Sequence, residues 1–250
     1  MNFIVRTCLR EPLNRDIKMI IQVLANLCEE GYLEKEENSL TSLFFSGSNV
    51  AFRREVFQEI GLYDTNCRTG EDQDISIRIN KTEWELYFQP KAIVGHKCRK
   101  SVKTFIKQWY RYGLHHPYIF KKHDSKSLTL YRRKGESEKG ALYRRILHMK
   151  GTPLHALIFI SPFLIMNLFL FLTVLSILLD FNIPSIVLGS VTLILGIYYF
   201  MPDIEIKHLL RTTKFIFLRY MANLALLMGG LWGGLKLKMI YISGTLDYKR

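Results

Sequence analysis

Thr69-Gly70-Glu71-Asp72-Gln73-Asp74 places three carboxylates within four positions, between a turn and the apolar run marked by Ile75, Ile77 and Ile79. Thr69 is a helix-capping residue type, and Asp72 stands three positions on, where a capping box puts its acid. The hexapeptide therefore reads as a helix N-terminus. There the helix dipole and unpaired backbone N–H groups favour a charged carboxylate, which predicts an ionised group able to accept a proton near neutral pH. The same local pattern also fits a solvated helix start with no chemistry, and the flanking segments separate the two readings.

Upstream, Pro12 opens a helix whose apolar stripe, Ile17, Ile20, Ile21, Leu24, Leu27 and Cys28, ends at Gly31. A polar, acidic loop follows, and then Ser42-Leu43-Phe44-Phe45 reads as a buried strand. It runs into Ser46-Gly47-Ser48-Asn49, where Gly47 lets backbone approach a ligand and Asn49 offers an amide beside it; taken alone, the four residues are only a turn. Glu55 to Ile60 is a short helix stopped by Gly61. Downstream of the hexapeptide, Glu85-Leu86-Tyr87-Phe88 and Ala92-Ile93-Val94 read as strands separated by Pro90, with His96 just past the second. Ser101 caps a further helix that carries Gln108, Arg111 and Tyr112 on one face.

The ordered series SGSNVAFRREVFQEIGLYD, TGEDQDISIRI, YFQPKAIVGH and KQWYRYG, between Ser46 and Gly113, resembles the second half of the catalytic domain of family-2 glycosyltransferases, inverting enzymes of GT-A fold. The resemblance implies an α/β, Rossmann-like fold and an enzyme moving a sugar from a nucleotide-sugar donor. Asp72 matches the position of that family's general base, with Glu71 orienting the turn or a donor hydroxyl. Asp72-Gln73-Asp74 also spells the Asp-x-Asp of metal-dependent relatives, but its place in the series assigns it to the base motif. Gln108, Arg111 and Tyr112 match a QxxRW motif with Tyr for Trp, which implies acceptor and phosphate contacts and leaves processive polymerisation open. His96 is expected to complete the shell of a divalent metal, Mg2+ or Mn2+.

A complete domain of that kind begins with a nucleotide-binding half and its own Asp-x-Asp. Some 45 residues upstream of Gly47 are too few for two βαβ units of ≈ 30 residues each. The expectation is therefore a partial GT-A domain on the acceptor side over residues 1–114, with little or no catalysis alone: a fragment, a split gene product or a partner for a separate donor-binding chain.

Composition points to a membrane. Hydrophobic residues make up 48% of 250, and the mean hydropathy is +0.06. Lys97 to Lys150 holds 16 Lys or Arg against 3 Asp or Glu, an excess equal to the whole net charge of +13. Residues 115–152 read as a basic juxtamembrane connector. Its basic and Tyr residues also suit RNA, but an uncharged stretch follows at once, so lipid headgroups are the partner and no nucleic acid is expected. Leu154 to Leu179 is uncharged over 26 residues, about 39 Å as a helix against a hydrocarbon core of roughly 30 Å. With residues 183–201 it predicts a transmembrane hairpin, and residues 215–235, interrupted by Arg219, predict an interfacial segment or third span. Residues 153–250 are thus an α-helical membrane region, and the enzyme is expected in the inner or plasma membrane, multi-pass, with its catalytic part cytoplasmic. The four cysteines show no metal-knuckle spacing and read as reduced thiols. The acceptor implied is a lipid-linked or cell-surface glycan. The rival reading is a non-catalytic membrane adaptor built on the same scaffold.

Overall fold

A computed structural model describes residues 3–6, 47, 50–88, 101–124, 126–137, 140–200 and 209–243. The expected helix after Pro12, the strand at 42–45 and the strand at 92–94 lie outside these residues, as do Asn49 and His96. The described chain is mixed α/β with two sheets. In the first, β1 (Phe3–Arg6) runs antiparallel to β2 (Val50–Ala51) and parallel to β3 (Glu85–Phe88). Beside it lie α1 (Arg54–Ile60) and α2 (Glu71–Ile79). Ile75 and Ile79, one turn apart on α2, bury completely against Val56 of α1, with Phe52, Phe57 and Trp84 around them. Gly61, at φ 78, closes α1 as its sequence position predicts.

Helix α3 (Val102–His123) starts at Ser101, whose Oγ accepts the Thr104 N–H at 3.3 Å. The boundary drawn at residue 114 falls inside this helix, and residues 115–152 form its second half and a long hairpin. That hairpin, β4 (Ser127–Ser137) and β5 (Gly140–Lys150), belongs to a second sheet of order β5-β4-β6-β7. Strand β6 (Ala156–Ile160) pairs parallel to β4 and to β7 (Ile240–Ile242). The segment 154–160, expected to be helical, is therefore largely strand. An apolar run without periodicity suits either state, and here Ser161 and Pro162 decide the boundary: the Ser161 Oγ accepts the Leu164 N–H and Pro162 takes the first helical position, where its missing N–H costs nothing.

Helices α4 (Pro162–Leu178) and α5 (Asn182–Phe200) form the predicted hairpin around Asp180, itself at φ 59. Ser176 and Ser185 meet across it at 2.9 Å, as do Thr173 and Thr192 at 3.2 Å. Most of its remaining surface is exposed and aliphatic or aromatic. Helix α6 (Leu209–Lys236) contains the ambiguous segment as one uninterrupted helix. Arg219 does not break it: the buried guanidinium donates to the Tyr199 carbonyl at 2.8 Å and lies 4.4 Å from the centre of the Tyr199 ring. Helix α5 and the stretch Thr212–Lys236 are each long and apolar enough to cross a bilayer.

The doublets Gly229-Gly230 and Gly233-Gly234 give α6 two adjoining glycine faces. Gly229 and Gly233 touch the α3 backbone at Tyr110 and Leu114, and Gly113 of α3 reciprocates against Leu226. Gly230 and Gly234, rotated one position, admit Tyr241 and Met239 next to β7. A Cβ at Gly113, Gly229 or Gly233 would overlap backbone atoms that no side-chain rotation can move. We expect Gly229→Ala to destabilise the protein by about 2 kcal/mol or more in denaturant unfolding. Gly189→Ala, whose Cβ would meet only the Thr173 methyl at 3.6 Å, is the near-neutral control.

Candidate active site

Helix α2 begins at Gly70, in the left-handed conformation at φ 83, and not at Thr69. No side chain caps it. Thr69 instead aims its hydroxyl at the Arg111 carbonyl, at 3.5 Å, and Gly70 packs against Ile119, leaving no room for a Cβ. The expected capping box is absent because glycine alone fits the close, positive-φ approach to α3. Asp72 serves the helix start differently: its Oδ1 accepts the Gln73 N–H at 2.9 Å and its Oδ2 accepts the Gly47 N–H at 3.1 Å.

Gly47, Glu71 and Asp72 therefore converge. A Cβ built on Gly47 would lie 3.9 Å from Asp72 Oδ2 and 4.0 Å from Glu71 Oε1, so the backbone passes directly over both carboxylates. Burial, outweighing the hydrogen bond from Gly47 and reinforced by the Glu71 charge, pushes the Asp72 carboxyl up to about 6. The sequence predicted an ordinary, dipole-stabilised acid; desolvation overrides the helix terminus. Tyr63 joins this group, its phenol raised by burial and then by Asp72 and Glu71, while its ring packs against Phe52 and Phe57. Sequence reasoning passed over Tyr63, although the Leu62-Tyr63-Asp64 stretch was its only available sign.

Asp74, two positions on, faces elsewhere. It is fully buried and accepts from Lys122 Nζ at 2.8 Å, His123 Nε2 at 2.7 Å and both Arg78 Nη2 at 2.9 Å and Nε at 3.1 Å. Burial alone would raise its pKa, but the hydrogen bonds from Lys122 and His123 hold it below the usual carboxylate range. Burial keeps His123 below its ordinary value despite Asp74, so near pH 7 it is neutral and donates Nε2–H. Lys122 also reaches Asp64 at 2.7 Å, where the Tyr118 hydroxyl and the Asn66 N–H converge. Arg78 donates further to the carbonyls of Ile60, Gly61 and Leu62. Two carboxylates, one ammonium and one guanidinium thus balance, and they fix the loop that carries Tyr63.

Ligand atoms of Asp64, Cys67 and Asp74 lie within 4.8 Å of one another. This group does not suit a divalent metal, because the Lys122 ammonium already lies between the two carboxylates. Burial and the two acids also push the Cys67 thiol up to about 11, leaving it a protonated and poor ligand. Of the residues predicted for binding, Gln108 donates to the Tyr112 hydroxyl at 2.6 Å, Tyr112 meets Trp109 edge-on at 5.3 Å, and Arg111 is exposed on the helix against which the acidic turn rests.

Asp74→Asn should cost about 3 kcal/mol in stability, since it removes the carboxylate on which Lys122, His123 and Arg78 converge inside the protein. The sign with pH follows from the depressed pKa. The stability that Asp74 supplies is present above the ordinary carboxylate range and is lost as pH falls below it, so wild type and variant should converge in acid unfolding series.

Residues 35–245 match the family described as Glycosyl transferase family group 2. Dolichyl N-acetyl-alpha-D-glucosaminyl phosphate 3-beta-D-2,3-diacetamido-2,3-dideoxy-beta-D-glucuronosyltransferase of Methanococcus voltae is 38% identical over 52 residues, 21% of this chain and 16% of that protein's length. No solved structure matches. With most of its length matched, the chain belongs to Glycosyl transferase family group 2, while its match spans only 16% of the length of the curated relative.

Proposed function

We propose that this glycosyltransferase moves a sugar, with inversion, from a nucleotide-sugar donor to a lipid-linked or cell-surface glycan acceptor at the inner face of a membrane. The observation that carries the reading is Asp72: a half-buried carboxyl at the start of α2, raised to about 6, under the Gly47 backbone and beside Glu71. In single-displacement transfer the acceptor oxygen bonds to the anomeric carbon while the bond to the nucleotide diphosphate breaks on the opposite face. The hydroxyl proton passes to Asp72, and the diphosphate carries away the bonding pair. A base that titrates near 6 is ionised at pH 7 yet binds a proton more tightly than an ordinary carboxylate, which suits it to general-base catalysis.

The other residues take supporting roles in this proposal. Glu71 orients the turn or a donor hydroxyl, the Gly47 backbone and Asn49 line the sugar, Gln108 and Tyr112 meet the acceptor, and Arg111 clamps phosphate. His96 would help hold a divalent metal, which would supply charge neutralisation on the diphosphate. A GT-A-like nucleotide-binding half would supply the donor pocket. The lipid-linked acceptor is favoured by the Methanococcus voltae relative, whose name gives a dolichyl phosphate-linked sugar, and by the apolar hairpin of α4 and α5, which we place in the bilayer. The basic run between Lys97 and Lys150 orients that hairpin with the catalytic part cytoplasmic.

Transfer of label from a nucleotide sugar, measured in native membranes holding the chain with its partners, tests the assignment. Asp72→Asn should lower turnover by about 10²–10⁴-fold with membrane insertion unchanged, and retained turnover would remove Asp72 from the chemistry. The wild-type rate should fall on the acid side with a limb near pH 6; a limb near the ordinary carboxylate value would mean that another group is the base. Folding should respond in the opposite sense. A carboxyl whose pKa is higher folded than unfolded is least favourable to the fold above pH 6, so Asp72→Asn should be as stable as wild type or more so there. Gly47→Ala has room to fold but covers Asp72 Oδ2, so it should reduce transfer at unchanged stability.

A further inference from the structure

The two faces of the four-stranded sheet have opposite surroundings. On one face, Tyr131, Phe159 and Tyr241 are buried and Phe120 of α3 packs on them. Strand pairing turns the alternate residues to the other face: Met149, Leu128 and Ile240 share one row across the sheet, and Leu147, Leu130 and Ile242 the next. Every residue of these rows is aliphatic, yet Met149 is 49% exposed, Ile240 39% and Leu147 37%. Soluble sheets with one open face alternate apolar with polar, and this one does not.

Three observations select an occupant. Arg132, exposed and in register beyond Leu128 and Leu130, borders the face, so the face suits a surface that is apolar with negative charge at its border. Strand β6 enters α4 through the single residue Ser161, which holds the sheet at the root of the apolar hairpin, where Phe171 is 62% and Ile186 70% exposed. Finally, β5 is an edge strand. Its outward N–H and C=O groups need water, which is present among headgroups and absent from the hydrocarbon core.

We propose that the aliphatic face of this sheet lies on an anionic bilayer, at the boundary of headgroups and acyl chains, with Arg132 on lipid phosphate. The proposal rests on the membrane reading of the α4–α5 hairpin. The sheet then fixes the depth and tilt of the catalytic part, because α3 lies on its opposite face and carries Lys122 and His123 to Asp74.

The test uses the full chain reconstituted into vesicles of mixed phosphatidylcholine and phosphatidylglycerol, with flotation to report insertion. In Met149→Trp, and independently in Ile240→Trp, the added fluorescence should shift to the blue and lose about half its intensity to lipids brominated just below the headgroup. Met149→Glu should weaken flotation from these vesicles more than from pure phosphatidylcholine ones. Floating protein whose added tryptophans are neither shifted nor quenched overturns the sheet proposal alone. Loss of quenching accompanied by crosslinked dimers through position 149 would make a second copy the occupant and overturn it equally. Failure to float at all overturns the hairpin reading and this one with it.

Discussion

The buried Asp74 carboxylate is the constraint on which the catalytic end depends. With three cationic or N–H donor side chains converging on it, α2 can hold only one rotation about its axis. At 3.6 residues per turn, side chains two positions apart point roughly 200° away from one another. Once Asp74 is drawn inward to Lys122 and His123, Asp72 must therefore face outward to Gly47. An Asp-x-Asp on a helix cannot close both carboxylates on one ion; here it divides into a buried anchor and a half-buried carboxyl under the Gly47 backbone.

Helix α3 transmits that anchoring. Its C-terminal turns supply Tyr118, Lys122 and His123 to the loop and helix that carry the acids. Its middle lies against α6 at glycine contact, and Phe105 and Trp109 near its start share a core with Phe215, Leu218 and Ala222. Glycine on both partners lets backbones touch, so the interface has little freedom to slide. A single helix thus connects the acidic turn to α6, one of the two described helices long and apolar enough to cross a bilayer.

The local sequence made several elements legible because their signals are local. Gly61 and Ser101 mark helix ends by conformation and hydrogen bonding, and Glu85–Phe88 alternates as a strand should. Asp72 and Gly47 were singled out one by one, and the structure brings them together. The anchoring network was not legible: Lys122 and His123 sit 58 and 49 positions from their carboxylates inside a run of basic residues, where a buried partner looks like any solvated charge. Nor was β6, since five apolar residues leading into an apolar helix carry no period. The cue that resolves it is the Ser161-Pro162 pair, a helix-start signature that ranked below the length of the uncharged stretch. The glycine doublets of α6, spaced by four and repeated one residue apart, describe two close-packed faces.

Asp72 also shows why the electrostatics of a helix start cannot be read without its lid. A terminus exposed to water stabilises a carboxylate by ~0.3–1 kcal/mol. Covering the same group with the Gly47 backbone removes solvation worth considerably more, and two backbone N–H bonds restore only part of it. The balance leaves a carboxyl at about 6, neither inert acid nor permanently charged. That value requires both halves of the arrangement, the buried anchor at Asp74 that turns the helix and the glycine that closes over it. The raised pKa at position 72 is therefore maintained by the anchor held two residues away.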